Sequence, residues 1–297
     1  MATESQLRSL HLVETDWLAE QIAQGNPNLR IVELRGYVKT QTTPEGVQTA
    51  TYTGAPEEYA QAHIPGAIYL DWTTDIVDEN DPVSAQVAPP EKLARLFGEK
   101  GIGDENLIVV YDSHPASQFA TRLWWVMRYY GNTQVRVLNG GWKKWTAEER
   151  ATTAEMPRYP KATFTPRTQS ALRKTASEVL QEIGNPAISL IDARDEGQYT
   201  GKIRRGNFGG HIPGARHLPR EAFFTSENTF HPETILRELV AEAQLTPEKE
   251  VLAYCNGGVA ATSVLFTLSM LGYTRLSNYD GSWNEWGMRE DLPRETV

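Results

Sequence analysis

Residues 253–262 read AYCNGGVAAT and hold the only cysteine of a 297-residue chain. A lone thiol is most often a small buried hydrophobe, but the neighbours of Cys255 suit chemistry. The preceding VLAY (251–254) is a buried-strand pattern, and Val264, Leu265, Leu268 and Leu271 recur at helical spacing, with Gly272 as the natural stop. Cys255 is thus predicted at the carboxyl end of a parallel strand, on a short loop leading into a helix, which is where open α/β sheets bind ligands. Gly257 and Gly258 can take positive φ. Successive N–H groups can then curl round an anion, and the helix N-terminus adds partial positive charge. The loop is a cradle for a thiolate or for an anionic group bonded to its sulfur. The competing reading is an inert buried thiol beside a tight turn.

Two cysteine chemistries use such a cradle. Phosphoryl transfer by a cysteine needs an arginine six residues on; that position is Ala261, and residues 256–260 carry no cation. Sulfur transfer through a persulfide needs only a nucleophilic thiolate and N–H donors for the resulting Cys–S–S⁻. The amides of Asn256, Gly257, Gly258, Val259 and Ala260 are the expected donors.

The elements that must position this loop occur twice. AHIPGAIYL starts at Ala62 and GHIPGARHL at Gly210; LNGGWKKW ends at Trp145 and YDGSWNEW at Trp286. Between each pair lies a strand-like run and then a helix-like run: NLIVVYD and ASQFATRLWWVMRYYG, then EVLAYC and VAATSVLFTLSMLG. Each half opens with a strand ending in charge, RIVELRG with Glu33 and Arg35, ISLIDARD with Asp192 and Arg194. The pattern predicts an α/β protein of two tandem similar domains, each a parallel sheet flanked by helices. Residues 1–150 form the first and 172–297 the second. Residues 151–171, with Pro157, Pro160 and Pro166 and no apolar period, read as a linker.

Composition narrows the partners. The chain is 40% apolar and 23% charged with a formal net charge of −9, so a nucleic-acid partner is not expected. One cysteine forms no internal disulfide, and the N-terminal residues lack the pattern of a secretory signal, so a cytoplasmic protein is expected. No apolar stretch approaches the length of a membrane span. The six histidines show no metal-ligand spacing with the cysteine, and no dinucleotide fingerprint follows a strand, so neither metal nor cofactor is expected.

With DARDEGQYTG, GHIPGARHLP, YCNGGVAAT and YDGSWNEWG in the second half, and EEYAQAHIPGAIYLDW and RLWWVMRYYGNTQVRVLNGGW in the first, the chain resembles the two-domain rhodanese-type thiosulfate and 3-mercaptopyruvate sulfurtransferases. The resemblance implies a catalytic second domain with Cys255 as the persulfide site. It also implies a first domain without the cysteine, where Asp112 ends the equivalent strand before SHPAS. It implies a small anionic sulfur donor, a thiol or cyanide acceptor, and a thioredoxin-like reductant as a further partner. Thiosulfate-preferring members tend to have basic residues after the cysteine. The uncharged 256–260 stretch is nearer the mercaptopyruvate type, which is the expected donor, with thiosulfate as the alternative. Where the family often has an arginine for the donor's anionic group, this chain has Gln198, so Arg204 or Arg205 is expected to clamp the donor.

Asp192 and Arg194 either line the site or form a structural ion pair, the latter suggested by Glu33 and Arg35 in the half without cysteine. His63 and His211 recur in both halves, so they and His217 read as structural; Pro65 and Pro213 set turns. RLWWVMRYY reads as packing. Asp112, Ser113 and His114 are candidates to face the cleft between the halves. A non-catalytic persulfide-sensing or binding module is the rival reading from another class.

Overall fold

The computed structural model describes residues 4–297, with side chains from Leu7 onward. Two five-stranded parallel sheets repeat one topology. In the first, the strands run in the order Leu12–Val13, Val135–Leu138, Leu107–Tyr111, Leu29–Glu33, Ala67–Tyr69. In the second, the equivalents are Arg173–Lys174, Leu276–Tyr279, Glu250–Tyr254, Ile188–Asp192 and Arg216–His217. The central strands LIVVY and EVLAY are buried on both faces, which is why they read as continuous apolar runs. Both are followed by the predicted helices, Gln118–Tyr129 and Ala261–Met270, and Gly272 takes φ +90 where the second one stops.

These two helices pack against each other and join the halves. Almost every residue of both is buried, so neither has the polar face of a surface helix. Thr121 Oγ1 lies 3.0 Å from both Thr262 Oγ1 and Ser263 Oγ, and Ser263 Oγ donates to the carbonyl of Ala116. Residues 154–169 carry no helix or strand but run along the first half: Ala162 N–H donates to Gly98, and Arg167 and Gln169 N–H to Tyr130 and Tyr129.

One element has no counterpart in the second half. Strands Gly36–Thr42 and Gln48–Gly54 form an antiparallel hairpin. Its turn docks on the second half, Gln48 N–H donating to the carbonyl of Arg204 and Arg204 N–H to that of Gly46. The alternating runs YVKTQT and VQTATYT around TPEG carry this hairpin in the sequence. Its position over the other half is not visible there.

Candidate active site

Cys255 directly follows the strand Glu250–Tyr254, and the helix starts at Ala261. The loop between them is fastened from behind. Ser282 Oγ accepts from the N–H groups of Cys255 and Gly258 at 3.1 and 3.0 Å and donates to the carbonyl of Tyr279. The carbonyls of Cys255 and Asn256 accept from the amides of Trp283 and Asn284. Gly258 takes φ +69, and a Cβ there would lie 2.7 Å from the carbonyl oxygen of Asp280, so only glycine makes this turn without strain. Among the described residues, no acceptor bonds the N–H of Asn256, Gly257, Val259, Ala260 or Ala261. The predicted set of amide donors changes at one position. The Gly258 amide belongs to the support of the loop, and four of the five predicted donors remain free, joined by Ala261.

Cys255, Asn256, Gly257, Val259 and Ala260 line a cavity of about 240 Å³. The hairpin forms part of its wall through Val38, Thr40, Gln48 and Tyr52, and the first half adds Trp72, His114 and Gln118. The thiol is only 2% exposed. An amide chain crosses the floor: Asn256 Nδ2 donates to Gln198 Oε1, and Gln198 Nε2 donates to Gln48 Oε1.

Two guanidinium groups reach the cavity, those of Arg205 and Arg220. Arg205 donates to the hydroxyl of Tyr52. Arg220 pairs with Glu221 at 2.6 Å, while its buried Nε has no partner. The Asp195 carboxylate also reaches the wall and caps the helix Glu196–Thr200 by accepting from Gln198 N–H. Burial and the neighbouring Arg220 push the His114 imidazole down to about 3, so it is neutral near pH 7. Its Nδ1 accepts from Ala116 N–H, which leaves the proton on Nε2.

Arg204 is not on this wall. It is exposed, and its backbone is the hairpin's docking point. Asp192 and Arg194 are also absent from the wall. Arg194 Nη2 donates to Asp192 Oδ2 and to the carbonyl of Gly210, both at 2.6 Å, and its guanidinium stacks 4.2 Å over Trp283. The first half repeats the arrangement: Arg35 pairs with Glu33 at 2.6 Å and stacks 4.3 Å over Trp142. Tyr254 donates to Asp192, and Tyr111 to Glu33. A constellation repeated, with glutamate for aspartate, where there is no thiol holds the fold. His63 and His211 are likewise structural, each stacked on a tyrosine, Tyr59 and Tyr199, at 4.1 and 4.0 Å.

Sequence reasoning missed Arg220, the hairpin wall and Arg122. Arg220 follows His217-Leu218-Pro219 at the carboxyl edge of the sheet, and that position was its only signal. Arg122 comes from the first half's helix and is fully buried. Its Nη1 donates to Asp280 Oδ1 at 2.6 Å and to the carbonyl of Gly258 at 3.2 Å, and its Nη2 to that of Ala85.

In the first half, the position of Cys255 is taken by Asp112, whose carboxylate fills the local nest. Oδ1 accepts from His114 N–H, and Oδ2 from Phe119 and Ala120 N–H. Burial pushes this carboxyl up to about 7 against the pull of those three amides.

Known proteins resemble this chain along most of its length. The model of the rhodanese-like domain matches residues 14–148 and again 175–289. The thiosulfate sulfurtransferase of Corynebacterium glutamicum is 31% identical over 297 residues, covering 96% of this chain and 90% of the relative. That of Gallus gallus is 30% identical, covering 93% and 92%. Among solved structures, Escherichia coli SseA, a 3-mercaptopyruvate sulfurtransferase, superposes with a TM-score of 0.78 at 26% identity, over 92% of this chain and 98% of its own.

Proposed function

The chain belongs to the rhodanese family and is a sulfurtransferase, and we propose that it carries sulfur from thiosulfate to a thiophilic acceptor through a persulfide on Cys255. The Cys255 thiolate attacks the outer sulfur of thiosulfate. The S–S bond of the donor breaks, its electron pair leaves with sulfite, and Cys–S–S⁻ remains. Cyanide or a thiolate then attacks the outer persulfide sulfur and returns Cys255 to the thiolate. Sulfite leaves in the first step and thiocyanate, or a new persulfide, in the second, so no electrons are gained or lost overall.

The observation that carries this reading is one cavity holding the thiol, free amides and two guanidinium groups. The free N–H groups of Asn256, Gly257, Val259, Ala260 and Ala261 suit the persulfide anion. Arg205 and Arg220 suit the doubly charged donor, and they supply from other loops the cations that residues 256–260 lack. The relatives' names agree with this donor. The second reading is 3-mercaptopyruvate as donor, favoured by the uncharged loop itself. A turnover reading is preferred over a sensor, because the cavity that holds the thiol is also lined by Arg205 and Arg220, which suit a donor anion.

The test is kcat/KM with both donors, in the wild type and in Arg205→Gln and Arg220→Gln. Thiosulfate is expected to be the better donor. Each substitution removes a charge-assisted contact, which lowers thiosulfate kcat/KM by about ten- to a hundredfold, and lowers that for 3-mercaptopyruvate less. Preference for 3-mercaptopyruvate in the wild type would establish the second reading. Absence of steady-state thiocyanate with either donor, after one stoichiometric sulfur uptake, would establish a sensor.

A further inference from the structure

A second cavity of about 240 Å³ lies on the joined pair of central helices and shares no residue with the first. The N-terminal helix Glu4–His11 covers it through Leu7 and His11. Its other walls come from both halves, with Leu265 and Leu276 apolar and Trp124, Trp125 and Arg128 aromatic or cationic.

Three buried polar atoms of this wall are unmet. Trp124 and Trp125 are each 2% exposed, and the indole N–H of each is buried without an acceptor. His11 Nδ1 is also buried and unpartnered. Leaving such groups unsatisfied in a packed interior is costly, and three on one cavity is a cluster rather than scatter. Arg128 lies 5.2 Å over the Trp124 ring, and among the described residues no carboxylate or other acceptor pairs with it. Its charge is unopposed in a protein of net charge −9. Burial first, then Arg128 and Arg136, push the His11 imidazole down to about 4, so no second cation forms there at neutral pH. Among the described residues, no acidic side chain lines the cavity. Leucines and indole rings thus surround hydrogen-bond donors and one guanidinium.

We propose that this cavity binds a small organic carboxylate with an aromatic or branched apolar body, the carboxylate meeting Arg128 and the indole N–H groups of Trp124 and Trp125. A bare inorganic anion would leave the apolar wall unfilled, and a neutral apolar molecule would leave the three donors unmet.

Phenylacetate is the probe, followed by calorimetry and by the indole N–H resonances in ¹H–¹⁵N spectra of the full chain. Saturable binding of one equivalent is expected, moving the Trp124 and Trp125 resonances. Phenylacetamide, neutral but of equal shape, and the Arg128→Gln variant should each bind about tenfold or more weakly, as loss of a charge-assisted contact requires. Thr274→Trp, at an exposed rim position, should weaken binding without touching the core. Alkylation of Cys255 should change nothing, which separates this site from the catalytic one. No saturable binding overturns the proposal, as does binding lost on alkylation of Cys255 or undiminished in both variants.

Discussion

Arg122 Nη1, in the half without a thiol, donates to the carbonyl of Gly258, in the loop that carries the thiol, at 3.2 Å. The same guanidinium is ion-paired with Asp280, and both side chains are fully buried. The first half therefore holds the Cys255 loop of the second through its backbone. Val87 N–H completes the clasp by donating to Asp280 Oδ2 at 2.9 Å.

Removing Arg122 leaves Asp280 as a buried charge with only the more distant Arg173, at 3.4 Å, as a cation. Breaking a buried pair by deleting one partner costs about 3–5 kcal/mol. Arg122→Leu should lower the free energy of urea unfolding by about this much, and kcat/KM of the folded fraction should fall. Unchanged stability and activity would show that the clasp does not matter.

Cys255→Ser should abolish sulfur transfer and keep the fold. The loop is held through the backbone groups of Cys255, by Ser282 and Trp283, and not through its sulfur. A serine hydroxyl forms no persulfide. Loss of steady-state thiocyanate release, alongside an unchanged urea midpoint, is the expected pair of results. Mass spectrometry of the wild type after donor addition should show one added sulfur atom, on Cys255.

Asp112→Cys combined with Cys255→Ser should not restore turnover. Pro115 supplies no N–H, and the nest of the first half is shaped to a carboxylate bonded to His114, Phe119 and Ala120. Turnover by the double variant would contradict the role assigned to the free amides of residues 256–261.

Asp112 also makes stability depend on pH. Its carboxyl titrates near 7 in the folded chain, against an ordinary value of 3.8. The folded state therefore binds the extra proton. That contribution to stability is full below pH 3.8 and is lost as pH rises through 7. Relative to Asp112→Asn, the wild type should lose on the order of 2–4 kcal/mol between pH 4 and pH 8, at about 1.4 kcal/mol per unit. Glu33, pushed up to about 7 by burial, is present in both proteins and cancels in the difference. Parallel urea unfolding at several pH values reads it, and equal slopes would show that the three amides overcome burial.

The duplication and the placement of Cys255 were legible because period and order are one-dimensional properties. Strand runs, helix runs and the two HIPGA turns recur in the same sequence order in both halves. The donor-binding side of the cavity was legible only in part. Arg205 was among the candidates, yet its neighbour Arg204 faces out, since one residue of loop decides which reaches the wall. Asp192 and Arg194 looked chemical because charge at a strand end does. Their pairing with Trp283 and Tyr254 turns them into structure. Arg122 stayed hidden inside RLWWVMRYY, because a stripe on a helix says which residues are buried, not which half of the molecule they meet.

The hairpin Gly36–Gly54 gives the first half a second reason to persist besides the clasp. The cavity that holds Cys255 takes its walls from both halves. By roofing the cavity with Val38, Thr40 and Tyr52, the hairpin turns access to Cys255 into a question of size and shape. The second half alone would keep Cys255 and lose part of the wall around it. The duplicated domain, with Asp112 where the other has its cysteine, completes the enclosure of that thiol.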